Sequence, residues 1–464
     1  MTRETASMSR FLKVALAAGV SLGLASCQTV SNLWPFGDDD DAPQAVATRG
    51  ERVSVLEFDE TVQASAALAG QAFTLPPPAP AADWSLPGGN AEQSVEHVQA
   101  ADAFQVAWRR DAGEGSARTS QVTAPLIASG GRVFTMDGEA RVSAFDANTG
   151  AQVWQVDLRP DGPDRTAFGG GLAAFGGKVF VTSGYRLVTA LDAATGSVAW
   201  TTNVESPIHS APTVAAGRVY AVDVDNQVLA FDINTGQQAW SYQAIVEPAR
   251  LLRASSPAVT GETVVTPFSS GELVALRASN GQMLWQQVLS RTNRTNALSE
   301  IRDIAGRPVI NRGMVFAASH SGVFAAIDVR TGARRWELPV ASVTTPWAAG
   351  DVVYIMSKSG QLIVANRENG GVYWMRDLNE GRARQEGGLF GIGDRTVRPV
   401  WAGPMLASNR LVLVNSDGEA VALDARTGAP SAQLDLGAPA YVSPIAYNGT
   451  IYVLTDEAEL VAIR

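Results

Sequence analysis

One thiol, three imidazoles and a recurring carboxylate are the side chains of this sequence whose types could do chemistry. The thiol is Cys27, the only cysteine in 464 residues, which excludes an intrachain disulfide and any Cys-based metal site. As a thiolate it would be the strongest nucleophile or acceptor in the chain. The imidazoles, His97, His209 and His320, are too few for most His-based metal or acid–base constellations. His209 and His320 each stand alone, and both are expected to be hydrogen-bonded structural histidines. The carboxylate recurs as the Asp of Ala144-Phe145-Asp146-Ala147-Asn148-Thr149-Gly150 and its copies. An Asp ahead of free backbone amides nucleates a turn, so turn formation rather than acid–base catalysis is its expected work. Gly387-Gly388-Leu389-Phe390-Gly391-Ile392-Gly393 lacks the Lys-Ser/Thr that follows a phosphate-cradling loop, and no strand-then-helix pattern surrounds it. It reads as a connecting loop. No catalytic, cofactor-binding or metal-binding residue is assigned, and no enzyme is expected.

The segment that presents Cys27 is an address. Arg10 and Lys13 precede a short apolar run, Val14 to Ala25, too short for a membrane span of ~20 residues and typical of a secretory signal. Leu24-Ala25-Ser26-Cys27 resembles the lipobox of bacterial lipoproteins. That resemblance implies removal of residues 1–26, acylation of Cys27, and, with Gln28 following, sorting to the outer membrane. Two or more acyl chains give stable anchoring. The formal net charge is −10; loss of Arg3, Arg10, Lys13 and Glu4 with the signal takes it to −12. So acidic a chain lacks the footprint for nucleic acid or for electrostatic adhesion to anionic lipid. Residues 27–103 read as a largely irregular tether. Asp38 to Asp41 form a solvated acidic run, Pro76-Pro77-Pro78 with Pro80 a stiff polyproline stretch, and Arg52 to Phe58 a short strand or docking segment.

From about Phe104 the chain repeats itself. The turn peptide with its trailing Trp154 recurs as ALDAATGSVAW (190–200), AFDINTGQQAW (230–240), ALRASNGQMLW (275–285), AIDVRTGARRW (326–336), VANRENGGVYW (364–374) and ALDARTGAPSA (422–432). Gly supplies the positive φ that closes each turn into a hairpin. Two more short apolar runs precede each copy, giving four strands per 40–50 residues, the signature of a propeller blade. Seven turns are complete. Leu460 to Arg464 match the strand entering an eighth, whose outer strand is supplied by Phe104-Gln105-Val106-Ala107-Trp108. Pairing the two ends closes an all-β, eight-bladed propeller over residues 104–464 and removes the open sheet edge. Its eight equivalent positions are Trp108, Trp154, Trp200, Trp240, Trp285, Trp336, Trp374 and Ala432.

This repeat resembles the pyrroloquinoline-quinone-type propeller repeat, in which the Trp docks neighbouring blades. Two functional classes share that repeat. Quinoprotein dehydrogenases carry adjacent cysteines forming a vicinal disulfide over the quinone, a calcium site and a catalytic Asp; with Cys27 alone, the disulfide cannot form. The combination of eight blades, lipoprotein signal and tether instead resembles the BamB family, lipoprotein subunits of the outer-membrane β-barrel assembly machinery. By that resemblance the chain is a non-enzymatic scaffold on the periplasmic face of the outer membrane. Its implied partners are BamA, through a POTRA domain, the other subunits, and unfolded outer-membrane clients. The implied interface residues are Leu251, Leu252 and Arg253, ahead of Ser256-Pro257, and Asp303 within Glu300-Ile301-Arg302-Asp303; Ala305 stands where the family has a second acid. The 376–398 loop, with Arg382, Arg384, Arg395, Arg398, Leu389 and Phe390, is a further candidate contact surface.

Overall fold

The computed structural model describes residues 62–464 except 161–166, 168, 248–250, 252–254, 291–300 and 387–394. It contains eight four-stranded antiparallel sheets, the blades. Blade 1 is built from Ile127–Ser129, Arg132–Met136, Arg141–Asp146 and Gln152–Asp157. Blades 2 to 7 repeat this up-and-down order, each starting with a first strand: Gly170–Phe175, Thr213–Ala215, Ala258–Thr260, Val309–Asn311, Trp347–Ala349 and Trp401–Ala407. First strands of successive blades adjoin, so they line the axis and the fourth strands lie outside.

Blade 8 closes the circle as the repeat count requires. Ile445–Tyr447, Thr450–Leu454 and Glu459–Ile463 come from one end of the propeller, and Val106–Asp111 from the other. Trp108 lies opposite Ala462 and Asp111 opposite Glu459. The burial pattern follows the layers. The second and third strands are buried almost throughout, whereas the outer strand of blade 1, QVWQVD, alternates exposed and half-buried. Apolar clusters sit between neighbouring blades rather than at one centre. A chain this long thereby avoids the size limit of a single core.

The repeat's three signature residues act on one another across each seam. The Asp146 carboxylate accepts the Asn148 and Thr149 amides and the Thr149 hydroxyl at 2.9–3.0 Å, and Gly150 follows at φ +68°. On that glycine lies the indole of Trp108 from the preceding blade, 2.8 Å from where a Cβ would stand. The Trp108 Nε1–H donates to the carbonyl of Asn148 in the same turn. The same stacking recurs for Trp154, Trp200, Trp240, Trp285, Trp336 and Trp374 over Gly196, Gly236, Gly281, Gly332, Gly370 and Gly428. In blade 4, Arg277 replaces the Asp, and backbone bonds from Asn280 and Gly281 to its carbonyl hold the turn.

Ala432 is the exception for a reason visible only in the fold. The next blade is blade 8, whose third and fourth strands come from opposite ends of the propeller, so no turn glycine joins them. An indole at 432 would have nothing to lie on. Gln105 and Arg464 instead close the gap with two backbone bonds of 2.8 Å.

The stretch read as tether needs correction from Val62 onward. It has almost no regular structure, but Val62, Phe73, Leu75, Trp84, Leu86 and Val98 are buried. Residues 84–101 cross one end of the axis and hydrogen-bond to every blade. Trp84 exchanges backbone bonds with Ala128 of blade 1, and the amides of Ala174, Val259 and Ile310 in blades 2, 4 and 5 donate to Ser85, Ala91 and Glu92. Gln93 Nε2 reaches Thr213 Oγ1 of blade 3, and Glu96 accepts from Gly350 and Trp347 of blade 6. Val98 pairs with Leu406 and Ser408 of blade 7, and Ala101 with Gly449 of blade 8. This segment is a cap.

Candidate partner-binding face

Strand alternation fixes what each end of the propeller presents. The turns between first and second strands, and between third and fourth, share the end that the cap covers. The other end carries the turns between second and third strands and all the blade-to-blade connections. There the axis opens into a cavity of about 470 Å³ lined by Leu251, His320, Lys358, Tyr441 and Asp456, among others.

Two interface candidates of the sequence meet at this mouth. The Leu251 amide, in the connection between blades 3 and 4, donates to the carboxylate of Asp303, in the connection between blades 4 and 5. Asp303 is buried, which places its carboxylate in the loop framework rather than on open surface. Its own carbonyl accepts the His320 amide at 2.8 Å. The Lys358 ammonium lies 2.6 Å from His320 Nε2, and His320 Nδ1 lies 3.3 Å from the Ile301 carbonyl. An ammonium only donates and a carbonyl only accepts. His320 therefore carries its proton on Nδ1 and is neutral. Burial first and Lys358 second hold its pKa below the ordinary value, against the bond to Ile301. Leu252, Arg253, Glu300 and Cys27 lie outside the described residues.

Sequence reasoning missed the apolar rim beside this site. Ile245 and Val246 are 63% and 58% exposed, just past the outer strand of blade 3, and Val288 is 49% exposed at the end of blade 4. The Ile245 amide bonds to Glu272, whose register partner is Val288, so the three share one rim. The available signal was two adjacent apolar residues in a connection where polar ones are expected. Lys358 and Tyr441 carried no such signal.

The 376–398 connection is partly structured. Arg384–Glu386 pairs with Arg395–Val397 as a small hairpin, and the glycine-rich tip at 387–394, with Leu389 and Phe390, lies outside the described residues. Arg382 pairs with Glu419 and covers the Trp401 ring, and Arg384 pairs with Asp417. These two arginines are thus engaged on blade 7. Between blades 6 and 7 Arg382 borders a cleft of about 390 Å³ with Leu378, Leu423 and Ala432.

Of the other two histidines, His97 is structural by its contacts. His97 bonds the Pro76 carbonyl through Nδ1 at 2.6 Å and accepts the Asn409 amide at Nε2, fixing a neutral ring that ties the cap to blade 7. His209 lines the inner channel with Arg307 and the hydroxyls of Ser256 and Thr344, around a space of about 50 Å³. Among the described residues no group of His, Cys, Asp and Glu could hold a metal ion. Cys27 is the only cysteine, so no vicinal disulfide can form.

Residues 138–376, over half of the chain, match the family described as outer membrane protein assembly factor BamB. The chain is 26% identical to that factor from Yersinia pestis over 254 residues, covering 53% of this chain and 64% of that protein. It is 26% identical to the one from Burkholderia pseudomallei over 340 residues, covering 68% and 86%. The crystal structure of BamB from Moraxella catarrhalis superposes with a TM-score of 0.64 at 17% identity, over 78% of this chain and 100% of that one. Quinohemoprotein alcohol dehydrogenases share the fold at 15% identity.

Proposed function

This chain belongs to the family of outer membrane protein assembly factor BamB, and from that premise we propose that it is a scaffold subunit of the outer-membrane β-barrel assembly machinery. It catalyses no reaction. It is held to the periplasmic face of the outer membrane by lipid on Cys27, and it binds BamA through the POTRA region. Its work is to aid insertion of β-barrel proteins.

The observation that carries the contact surface is the uncapped end, where Leu251 and Asp303 adjoin an apolar rim at Ile245, Val246 and Val288. An exposed apolar rim of this kind marks an interaction surface. The cap supports this assignment, because residues 84–101 cover the opposite end of the axis and leave this one open.

The test is capture of a BamA periplasmic fragment. Arg253→Glu, and separately Leu251→Ala with Leu252→Ala, should each weaken capture about thirtyfold or more if they sit at the interface core. Their melting temperatures should match wild type. Full capture by both folded variants would move the interface elsewhere, with the 376–398 connection next. The enzymatic alternative is tested with pyrroloquinoline quinone, calcium and a panel of alcohols. Reduction of an artificial acceptor with turnover would overturn the scaffold assignment.

A further inference from the structure

Resting on that reading of the uncapped end, we propose that His320 and Lys358 are positioning residues for Asp303 and Leu251, and that protonation of His320 frees the Leu251 amide. A relay runs through two turns and two connections at this end. Lys358, in the second turn of blade 6, donates to His320 in the corresponding turn of blade 5. His320 in turn holds the connection between blades 4 and 5 twice, through Nδ1 to Ile301 and through its amide to the Asp303 carbonyl. The Asp303 carboxylate then holds the Leu251 amide.

The relay works only with a neutral imidazole. A proton on Nε2 replaces the acceptor that Lys358 uses with a second donor, facing an ammonium across 2.6 Å. Two cations at that distance repel. Either Lys358 withdraws or the imidazole turns away, and turning breaks the bond to Ile301. Among the described residues, the charged and titratable groups that face His320 are Lys358 from blade 6, Asp303 from its neighbouring connection, and Asp456 and Tyr441 across the mouth. Asp303 meets His320 through its backbone carbonyl, its carboxylate accepting from the Leu251 amide, and Asp456 bonds the Ser116 hydroxyl. Of these groups Lys358 alone touches the imidazole nitrogen that would gain the proton, and that contact sets the sign: acid frees the Leu251 amide.

Two readouts on the full-length protein test this without a partner. The His320 imidazole is titrated by NMR, and hydrogen exchange of the Leu251 amide is followed from about pH 7.5 to about pH 5. Loss of Leu251 protection should track the His320 titration. His320→Gln offers Lys358 an acceptor and Ile301 a donor without titrating, so its profile should be flat. Lys358→Met removes the like charge and should raise the His320 midpoint. Unchanged Leu251 protection while His320 titrates would overturn the proposal, as would a pH-dependent profile in His320→Gln. If that variant fails to fold, the Lys358→Met midpoint decides alone, and a midpoint that does not rise sinks the idea. Partner capture then separates this proposal from the assembly reading. Wild-type affinity should fall by up to about tenfold per pH unit below the His320 midpoint. Absence of any capture at neutral pH defeats the assembly reading, while the two amide and imidazole readouts still judge the relay.

Discussion

Each turn glycine carries the indole of the preceding blade, so glycine and tryptophan form one element of the repeat. At Gly236 a Cβ would stand 2.4 Å from the Trp200 ring, and φ is +70°. At Gly217 φ is +71° with nothing within 4 Å. Both positions disfavour alanine by about 1 kcal/mol through backbone conformation, but only Gly236→Ala must also displace an indole. We expect Gly236→Ala to lose about 1–3 kcal/mol more than Gly217→Ala in urea unfolding. Equal losses would mean that the indole yields freely. Trp200→Ala removes the other half and should lose about 3 kcal/mol. Ala432→Trp should gain no stability, because blade 8 offers no turn glycine. An increase in melting temperature would show that the closure gap accommodates an indole after all.

Two elements bind the blades into one unit, and they act differently. The closing strand, Val106–Asp111, supplies the outer edge of blade 8. Deleting Phe104–Arg110 leaves Glu459–Ile463 without its outer partner and exposes an edge that invites association. Light scattering and the melting curve should show aggregation or a large fall in melting temperature. A monomeric, equally stable truncation would exclude this closure. The cap works through many small contacts: backbone pairing with first strands, the ion pair of Glu96 with Arg312, and the buried Trp84 stacked on Trp347 at 6.2 Å. Trp84→Ala should lose about 3–5 kcal/mol, the range for a buried aromatic. Loss near zero in denaturant unfolding would mean that the cap detaches without consequence for the propeller.

The whole molecule should respond to acid in two stages. His97 and His320 are both held neutral, each by burial above all. A depressed imidazole pKa means the unfolded chain binds more protons, so this stability is fully present above the unfolded value of about 6.5 and is lost as pH falls below it. The turn carboxylates shift downward too. Thr149 amide and hydroxyl bonds lower Asp146, and Arg335 with Thr331 lowers Asp328. Their contribution persists above about pH 3.9 and disappears as pH falls further. Unfolding free energy measured against pH should therefore be level near pH 7, decline below about 6.5, and drop more steeply below about 4. His97→Gln combined with His320→Gln should remove the first decline and leave the second. Survival of the first decline in that variant would assign it to other groups.

The blade count and the turn chemistry were legible in the sequence because each is written in contacts within about ten residues, and the circular closure followed from counting the incomplete copies at the two ends of the repeat. Asp146 caps amides two and three residues away, Gly150 sets its own backbone, and a hairpin register follows from the turn. Even the position lacking its indole, Ala432, could be read, although its reason could not. That reason, the cap and the relay at the mouth depend on which distant segments meet. Val98 pairs with Leu406 and Ser408, and no periodicity in the Pro- and Gly-rich stretch before Phe104 announces it. Leu251 meets Asp303 across 52 residues, and Lys358 meets His320 across 38. Only closure of the propeller brings those connections to one end of the axis, so only the tertiary structure decided which end stays open and which side chains line it.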